Sequence, residues 1–480
     1  IQRVATQKRV EWLEKNAQDI ARAAGEPDWK KKMNEMARLA RERGVNRKIT
    51  RATKGPHKPL DSIEVPKYEW FYSPGERELY HYDKGVFEAY SARRPTVHLI
   101  PTDPTRFYKH HHLKVLPADA VPATVEEEDD AFVLVEKSDP CEIWEEITTP
   151  KEIERIILER NKRHLQQSDI EPGRIHDPIM QRMMENNGNS DLIQDIVDGK
   201  LNLDEATDEA IQAWIHALQM TAQRVKELDS LQAVHIPRIT GAMSREDFQG
   251  GFKVVDENTT SSPSNVNYSI WKTVAKEDDL AEWLAVMMSL PFMYGFVNQR
   301  WARCIDTMLE KKAGNRKIHM LRIIGILEVD FNTALKILYG RKLMQLAEKT
   351  GIHSDQWGSR NNRTSTDPAL MYMMTFEYGR YMKFTISAFD ADQGLCFDRM
   401  QPDLDNSVAI VHGMAPEVGE CRSKTLEAME HHCKTANGVS KGAYKNRAGE
   451  PKKGGEVQGK SDNPCLWCLT SDKLLVGMDK

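Results

Sequence analysis

Asp392 lies in the run Phe389-Asp390-Ala391-Asp392-Gln393-Gly394-Leu395-Cys396-Phe397-Asp398-Arg399-Met400, and Gly455, Gln458 and Gly459 follow in a second run that closes at Pro464. A carboxylate such as Asp392 suits phosphoryl transfer. That chemistry asks little covalent work of a protein and mainly needs divalent cations held so that attacking and leaving oxygens are both stabilised. Glycines such as Gly455 and Gly459 let backbone approach a ligand where a Cβ would collide.

An element must deliver that carboxylate. In Lys383-Phe384-Thr385-Ile386-Ser387-Ala388, Phe384, Ile386 and Ala388 alternate with polar residues. That period predicts a strand with one buried face, ending near Asp392.

Asp392, Cys396, Phe397 and Asp398 match in register the first palm motif of reverse transcriptases of non-LTR, LINE-like retroelements, which the segment resembles. The resemblance implies that Asp392 is catalytic and binds metal, with the carbonyl of Gln393 as a second metal ligand. It also places Phe397 against the sugar, where an aromatic ring blocks a 2′-hydroxyl. Gly455, Gln458, Gly459 and Pro464 are similar to the family's Gln-Gly turn, which implies contact of Gln458 and Gly459 with the incoming nucleotide and template base. Glu456 stands beside the expected triphosphate path, and Asn463 replaces the usual Ser.

Two upstream segments resemble the family as well. Residues 311–328 are similar to a fingers motif that ends in an Arg before a short apolar strand, here Arg322 and Ile323-Ile324-Gly325-Ile326. A guanidinium donates two parallel hydrogen bonds to phosphate oxygens and keeps its charge at any working pH, so Arg322 is the expected triphosphate ligand. Residues 356–370 resemble a template- or primer-contacting motif through Gln356, Gly358, Arg360 and Arg363, with Ser359 where the family has Phe. The four segments keep the family's order, and the resemblance covers residues 255–475.

The implied fold class is α+β: a helical N-terminal extension followed by a partial right-hand polymerase of fingers and incomplete palm. The expected division is a basic helical segment over 1–60, a small mixed or β-rich region over 61–145, a helical extension over 146–254, fingers over 255–370 and palm over 371–480. The implied function is RNA-directed DNA polymerase, a nucleotidyltransferase using two Mg²⁺ ions, with Mn²⁺ as an alternative, on an RNA template, a DNA primer and dNTP. The family completes its metal site with an aromatic-x-Asp-Asp hairpin, which does not occur before Lys480, so this fragment is expected to be inactive alone. The alternative is a non-catalytic, decayed or repurposed relative that binds nucleic acid.

With 480 residues, 40% hydrophobic and 29% charged, the chain is long enough for about three domains. Net charge is −5, but residues 1–60 hold sixteen Lys/Arg against seven Asp/Glu, a net +9 that suits RNA. Trp29, Met33, Met36 and Leu39 recur there at helical spacing beside Lys and Arg, so a helix with a basic face is expected. The longest apolar run, residues 284–297, is interrupted by Pro291 and falls short of the ~20 residues a membrane crossing needs, so no membrane association is expected.

Seven scattered cysteines fit a reducing, intracellular compartment, with the nucleus favoured over the cytoplasm by the habits of related elements. Cys465 and Cys468 have metal spacing but read as buried small hydrophobes. His110-His111-His112 has no Cys or Asp at ligand spacing, and the acidic run 126–130 lacks turn glycines and reads as a solvated loop. Thr149-Pro150-Lys151-Glu152 is a capping box that opens a helix burying Ile153, Ile156 and Ile157 and ending in a basic, amide-rich edge. A second helix over about 204–231 carries Ile211, Trp214, Ile215, Leu218 and Met220 as core.

Overall fold

The computed structural model describes residues 59–92, 106–128, 131–138, 143–166, 177–200, 208–230, 238–253, 262–386 apart from 362, 365 and 384, 396–445 and 455–478. The expected basic helix within 1–60 lies outside them. The described chain is a mixed α+β protein.

Eight strands come first: β1 (Ile63–Pro66), β2 (Trp70–Ser73), β3 (Glu78–Asp83), β4 (Val86–Ser91), β5 (Arg106–Lys114), β6 (Val121–Glu128), β7 (Ala131–Lys137) and β8 (Trp144–Ile147). β2 to β7 close into a barrel in the order β2-β3-β4-β5-β7-β6, and β1 pairs with β8 alone. Closure leaves no long free edge, the usual liability of small sheets. Glu126, Glu127 and Glu128 belong to strand β6 rather than to a loop, because they pair with Val133, Phe132 and Ala131 of β7.

Helices follow: α1 (Pro150–Leu165), α2 (Pro178–Gly188), α3 (Asp191–Asp198), α4 (Glu209–Ser230), α5 (Arg245–Lys253), α6 (Tyr268–Val274) and α7 (Asp278–Tyr294). Thr149 caps α1 with Pro150 in the first turn, but its side chain makes no capping bond, so the box is present in sequence and not in hydrogen bonding. Ile153, Ile156 and Ile157 are buried against the sheet as the spacing requires. In α4, Ile211, Trp214, Ile215 and Leu218 are core, whereas Met220 is exposed because it falls off that stripe.

The second sheet has β9 (Arg303–Glu310) and β10 (Leu321–Ile326) as an antiparallel hairpin. β11 (Glu430–Thr435) runs parallel to β9 and pairs with the short strands β12 (Gly438–Val439) and β13 (Tyr444–Lys445). The remaining helical elements are α8 (Val329–Leu335), a π-helical segment (Lys336–Leu343), α9 (Met344–Thr350), α10 (Thr366–Met382), α11 (Cys396–Arg399), α12 (Pro402–Val411), α13 (Pro416–Ala428) and α14 (Asn463–Met478), of which α10 is exposed along nearly its whole length. Period-2 alternation along β10 buries Leu321 and Ile323 and leaves Arg322 exposed. No described helix is long and apolar enough to cross a membrane.

Candidate nucleotide site

Three segments distant in sequence meet at residues 455–459. The Gly325 amide of β10 donates to the Gln458 carbonyl at 2.7 Å. Gly459 has φ +123° and lies so close to the Gly325 carbonyl that a Cβ has no room, so glycine is required on both counts. Gly455 is pressed in the same way against the Asp398 carbonyl, and the Glu456 amide donates to the Phe397 carbonyl at 2.8 Å. Asn332 closes the turn from α8, since its Nδ2 donates to the Gly459 carbonyl at 3.3 Å and its Oδ1 accepts from the Ser461 amide at 2.7 Å.

Cations gather beside this junction. Arg160, from α1, is buried, and its Nη2 donates to the Leu321 carbonyl at 2.6 Å. Burial pushes its guanidinium down to about 10 against the pull of Asp398. Burial and then the charges of Arg160 and Arg322 lower Lys311, which places these three cations within electrostatic reach of one another. His164 lies 3.8 Å from Asp398 and is held neutral, its value pushed down to about 4 by burial and then by Arg160. An anion placed between Arg322 and Lys311 would relieve this mutual repulsion. Lys311, Arg160 and His164 escaped the sequence reading as site residues, although Lys311 opens the fingers-like segment, His164 lies in the basic, amide-rich edge of α1 and Arg160 immediately precedes that edge.

Asp392 and Gln393 lie outside the described residues. Of the strand expected over 383–388, residues 384, 387 and 388 lie outside the described residues; among the described ones, Lys383 has φ +59° and follows α10 in a turn, and Thr385 and Ile386 belong to no strand. A left-handed residue interrupts the extended backbone that the alternation called for. Phe397 is half-buried in α11 and packs against the main core. Glu456 does not face the site. It is fully buried and ion-paired with Arg422 and Lys460, while Arg422 Nε also holds Asp462 at 2.6 Å. Asn463 opens α14 and its Nδ2 donates to the Val457 carbonyl at 2.8 Å, which fastens the turn from the other side.

Of the residues matched to a template or primer role, Gln356 Nε2 donates to Cys468 O at 3.1 Å and to Ser471 Oγ at 2.7 Å. Arg360 grips Glu348 through Nε and Nη2 and donates from Nη1 to the carbonyls of His353 and Gln356. Gly358 donates its amide to Gln356 Oε1 at 3.2 Å, and the exposed Arg363 places its guanidinium 4.6 Å over the Trp357 ring. Cys465 and Cys468 are buried, free thiols on α14.

Among the described residues, one group of three could hold a metal: Cys304, Asp306 and His431, all buried in the sheet. Asp306 accepts from His431 Nδ1 at 3.0 Å, Tyr444 Oη at 2.6 Å and Asn161 Nδ2 at 3.0 Å. Burial alone would raise this carboxyl, but His431, Tyr444 and Asn161 hold it low. A thiol and an imidazole around a carboxylate already saturated with hydrogen bonds do not suit Mg²⁺, which prefers oxygen ligands and keeps several waters. The Mg²⁺ expected of the resemblance has no site there.

Fold and site together define an α+β protein with a glycine-clasped junction beside Arg160, Lys311 and Arg322. No protein-family model matches the chain, and no curated protein matches it.

Proposed function

We propose that the chain carries an N-terminal extension, the fingers (255–370) and palm residues (371–480) of an RNA-directed DNA polymerase of a non-LTR, LINE-like retroelement, and that the junction at 455–459 receives the dNTP. One observation carries the reading: the Gln458-Gly459 turn is fastened both to the Arg322 strand and to the Phe397-Asp398 segment. Those are the segments whose motifs resemble the family, and a polymerase needs them adjacent. Arg322, with Lys311 behind it, takes the triphosphate. Phe397 meets the sugar, and Mg²⁺ is left to Asp392 and the Gln393 carbonyl. RNA template and DNA primer are the expected partners.

Equilibrium titration of the protein with dNTP in Mg²⁺ tests this. The expected result is saturable binding that Arg322→Ala weakens about tenfold, the scale of one charge-assisted contact. Equal affinity in the variant, or no binding, overturns the nucleotide site. A protein that binds an RNA–DNA hybrid without binding dNTP fits instead the non-catalytic relative.

A further inference from the structure

Cys304, Asp306 and His431 take no part in the nucleotide reading, and the second sheet itself brings them together. Cys304 and Asp306 are two residues apart on β9 and so share one face, while His431 is the register partner of Cys304 on the parallel strand β11. All three are fully buried, Cys304 is a free thiol, and one ligand atom from each lies within 4.8 Å of the others.

The two oxygens of Asp306 do different things. Oδ1 meets His431 Nδ1 at 3.0 Å and Cys304 Sγ at 3.7 Å, whereas Oδ2 accepts from Tyr444 Oη at 2.6 Å and Asn161 Nδ2 at 3.0 Å. The bonds to Oδ2 fix the carboxylate, and the Tyr444 ring, stacked on His431 at 4.8 Å and 16°, fixes the imidazole plane. The contacts to Oδ1 come from a thiol and an imidazole, both of them zinc ligands. Tetrahedral zinc, with Zn–S near 2.3 Å and Zn–N and Zn–O near 2.0 Å, sets sulfur about 3.5 Å and nitrogen about 3.3 Å from the ligating oxygen. The observed 3.7 Å and 3.0 Å each fall within about 0.3 Å of those spacings.

The geometry points to a closed, structural Zn²⁺ site with Cys304 Sγ, Asp306 Oδ1 and His431 Nδ1 as ligands, and with Tyr444 and Asn161 holding the carboxylate from behind. A second free, buried thiol, Cys433, is the register partner of Asp306 and shares the His431 face of β11, which makes it the residue for the fourth position. Zn²⁺ accepts thiolate, imidazole and carboxylate together, whereas Mg²⁺ and Ca²⁺ take oxygen ligands. Binding replaces the thiol protons, which leave to solvent, and takes His431 as the neutral imidazole with its proton on Nε2, the ring nitrogen that has no hydrogen-bond partner. Through these side chains the ion braces β9 and β11 and, by way of Asn161 and Tyr444, α1 and β13. The inference stands independently of the nucleotide reading.

Elemental analysis of the full chain, expressed in zinc-supplemented medium and purified without chelator, counts the metal. Expression with Co²⁺ in place of zinc reads the ligands by absorption. The expected results are about one zinc per chain and, with cobalt, a thiolate-to-metal band in the near ultraviolet beside the strong visible bands of a tetrahedral ion. Cys304→Ser, a buried change of one atom that keeps a polar group beside Asp306, should weaken the thiolate band and lower bound zinc about fivefold or more, with circular dichroism reporting that the variant is folded. Fewer than about 0.2 zinc per chain in the wild type overturns the site whatever the variants do. Zinc that persists in Cys304→Ser, or that is lost instead in Cys465→Ser on α14, places the ion elsewhere and overturns it as well.

Discussion

The Gly325 amide bonds the Gln458 carbonyl at 2.7 Å, and the next residue, Gly459, rests on the Gly325 carbonyl with no space for a side chain. A strand of the fingers-like hairpin and the Gln-Gly turn therefore move as one piece. Gly459→Ala should cost about 1–3 kcal/mol in denaturant unfolding, from the positive φ and the collision together. Gly358→Ala, which meets only an ordinary contact at 3.5 Å, should stay within about 0.5 kcal/mol and serves as the control.

Arg322 is exposed, so Arg322→Ala should leave stability within about 0.5 kcal/mol while removing dNTP affinity. Phe397→Ala differs. The ring packs on the core, so thermal denaturation should show a clear loss, and ribonucleotide binding should rise relative to deoxyribonucleotide if the ring is the sugar gate. Unchanged sugar discrimination in a folded variant would remove that role.

Arg422 is the hub beneath the turn, with Glu456 and Asp462 as fully buried partners. Arg422→Met leaves two carboxylates with less compensation in the interior and should destabilise the protein by about 3–5 kcal/mol. Urea unfolding measures it, and a cost under about 1 kcal/mol would contradict the buried-pair geometry.

Acid should weaken the fold before carboxylates alone would explain it. Burial holds His164 at about 4, His319 at about 3 and His412 well below its ordinary value. These groups take up protons more readily unfolded, so stability falls as pH drops from about 6.5 towards 4, by roughly 3 kcal/mol for His164 alone. Asp405 acts in the opposite sense. Burial and then Glu456 raise its carboxyl to about 7, so the folded state holds the proton more tightly and stability is lost as pH rises from about 4 to 7. Asp405→Asn should therefore gain in melting temperature relative to wild type as pH rises across that window. A difference independent of pH would refute the assignment.

Local pattern carried the helices and buried faces well. The isoleucines of α1 and the stripe of α4 followed from apolar spacing, which burial enforces directly, whereas the burial of Cys465 and Cys468 was expected from their place just after Pro464, where the resembled family has a helix. Alternation over 383–388 could not foresee the left-handed turn at Lys383, where the expected strand would begin. Glu456 was misplaced for a different reason. Its partners Arg422 and Lys460 include one more than thirty residues away, and no local rule brings a distant guanidinium under a turn. The contributions of Arg160 and His164 were hidden likewise, since α1 reaches Asp398 only after the sheet has formed.

Photo-crosslinking with a photoreactive dNTP analogue in Mg²⁺, followed by mass-spectrometric mapping, addresses the nucleotide site most directly. The account predicts labelled peptides around Lys311–Arg322 and residues 455–464, competed away by unlabelled dNTP and lost in Arg322→Ala. Competable labelling confined to other parts of the chain, or none at either segment, would contradict it.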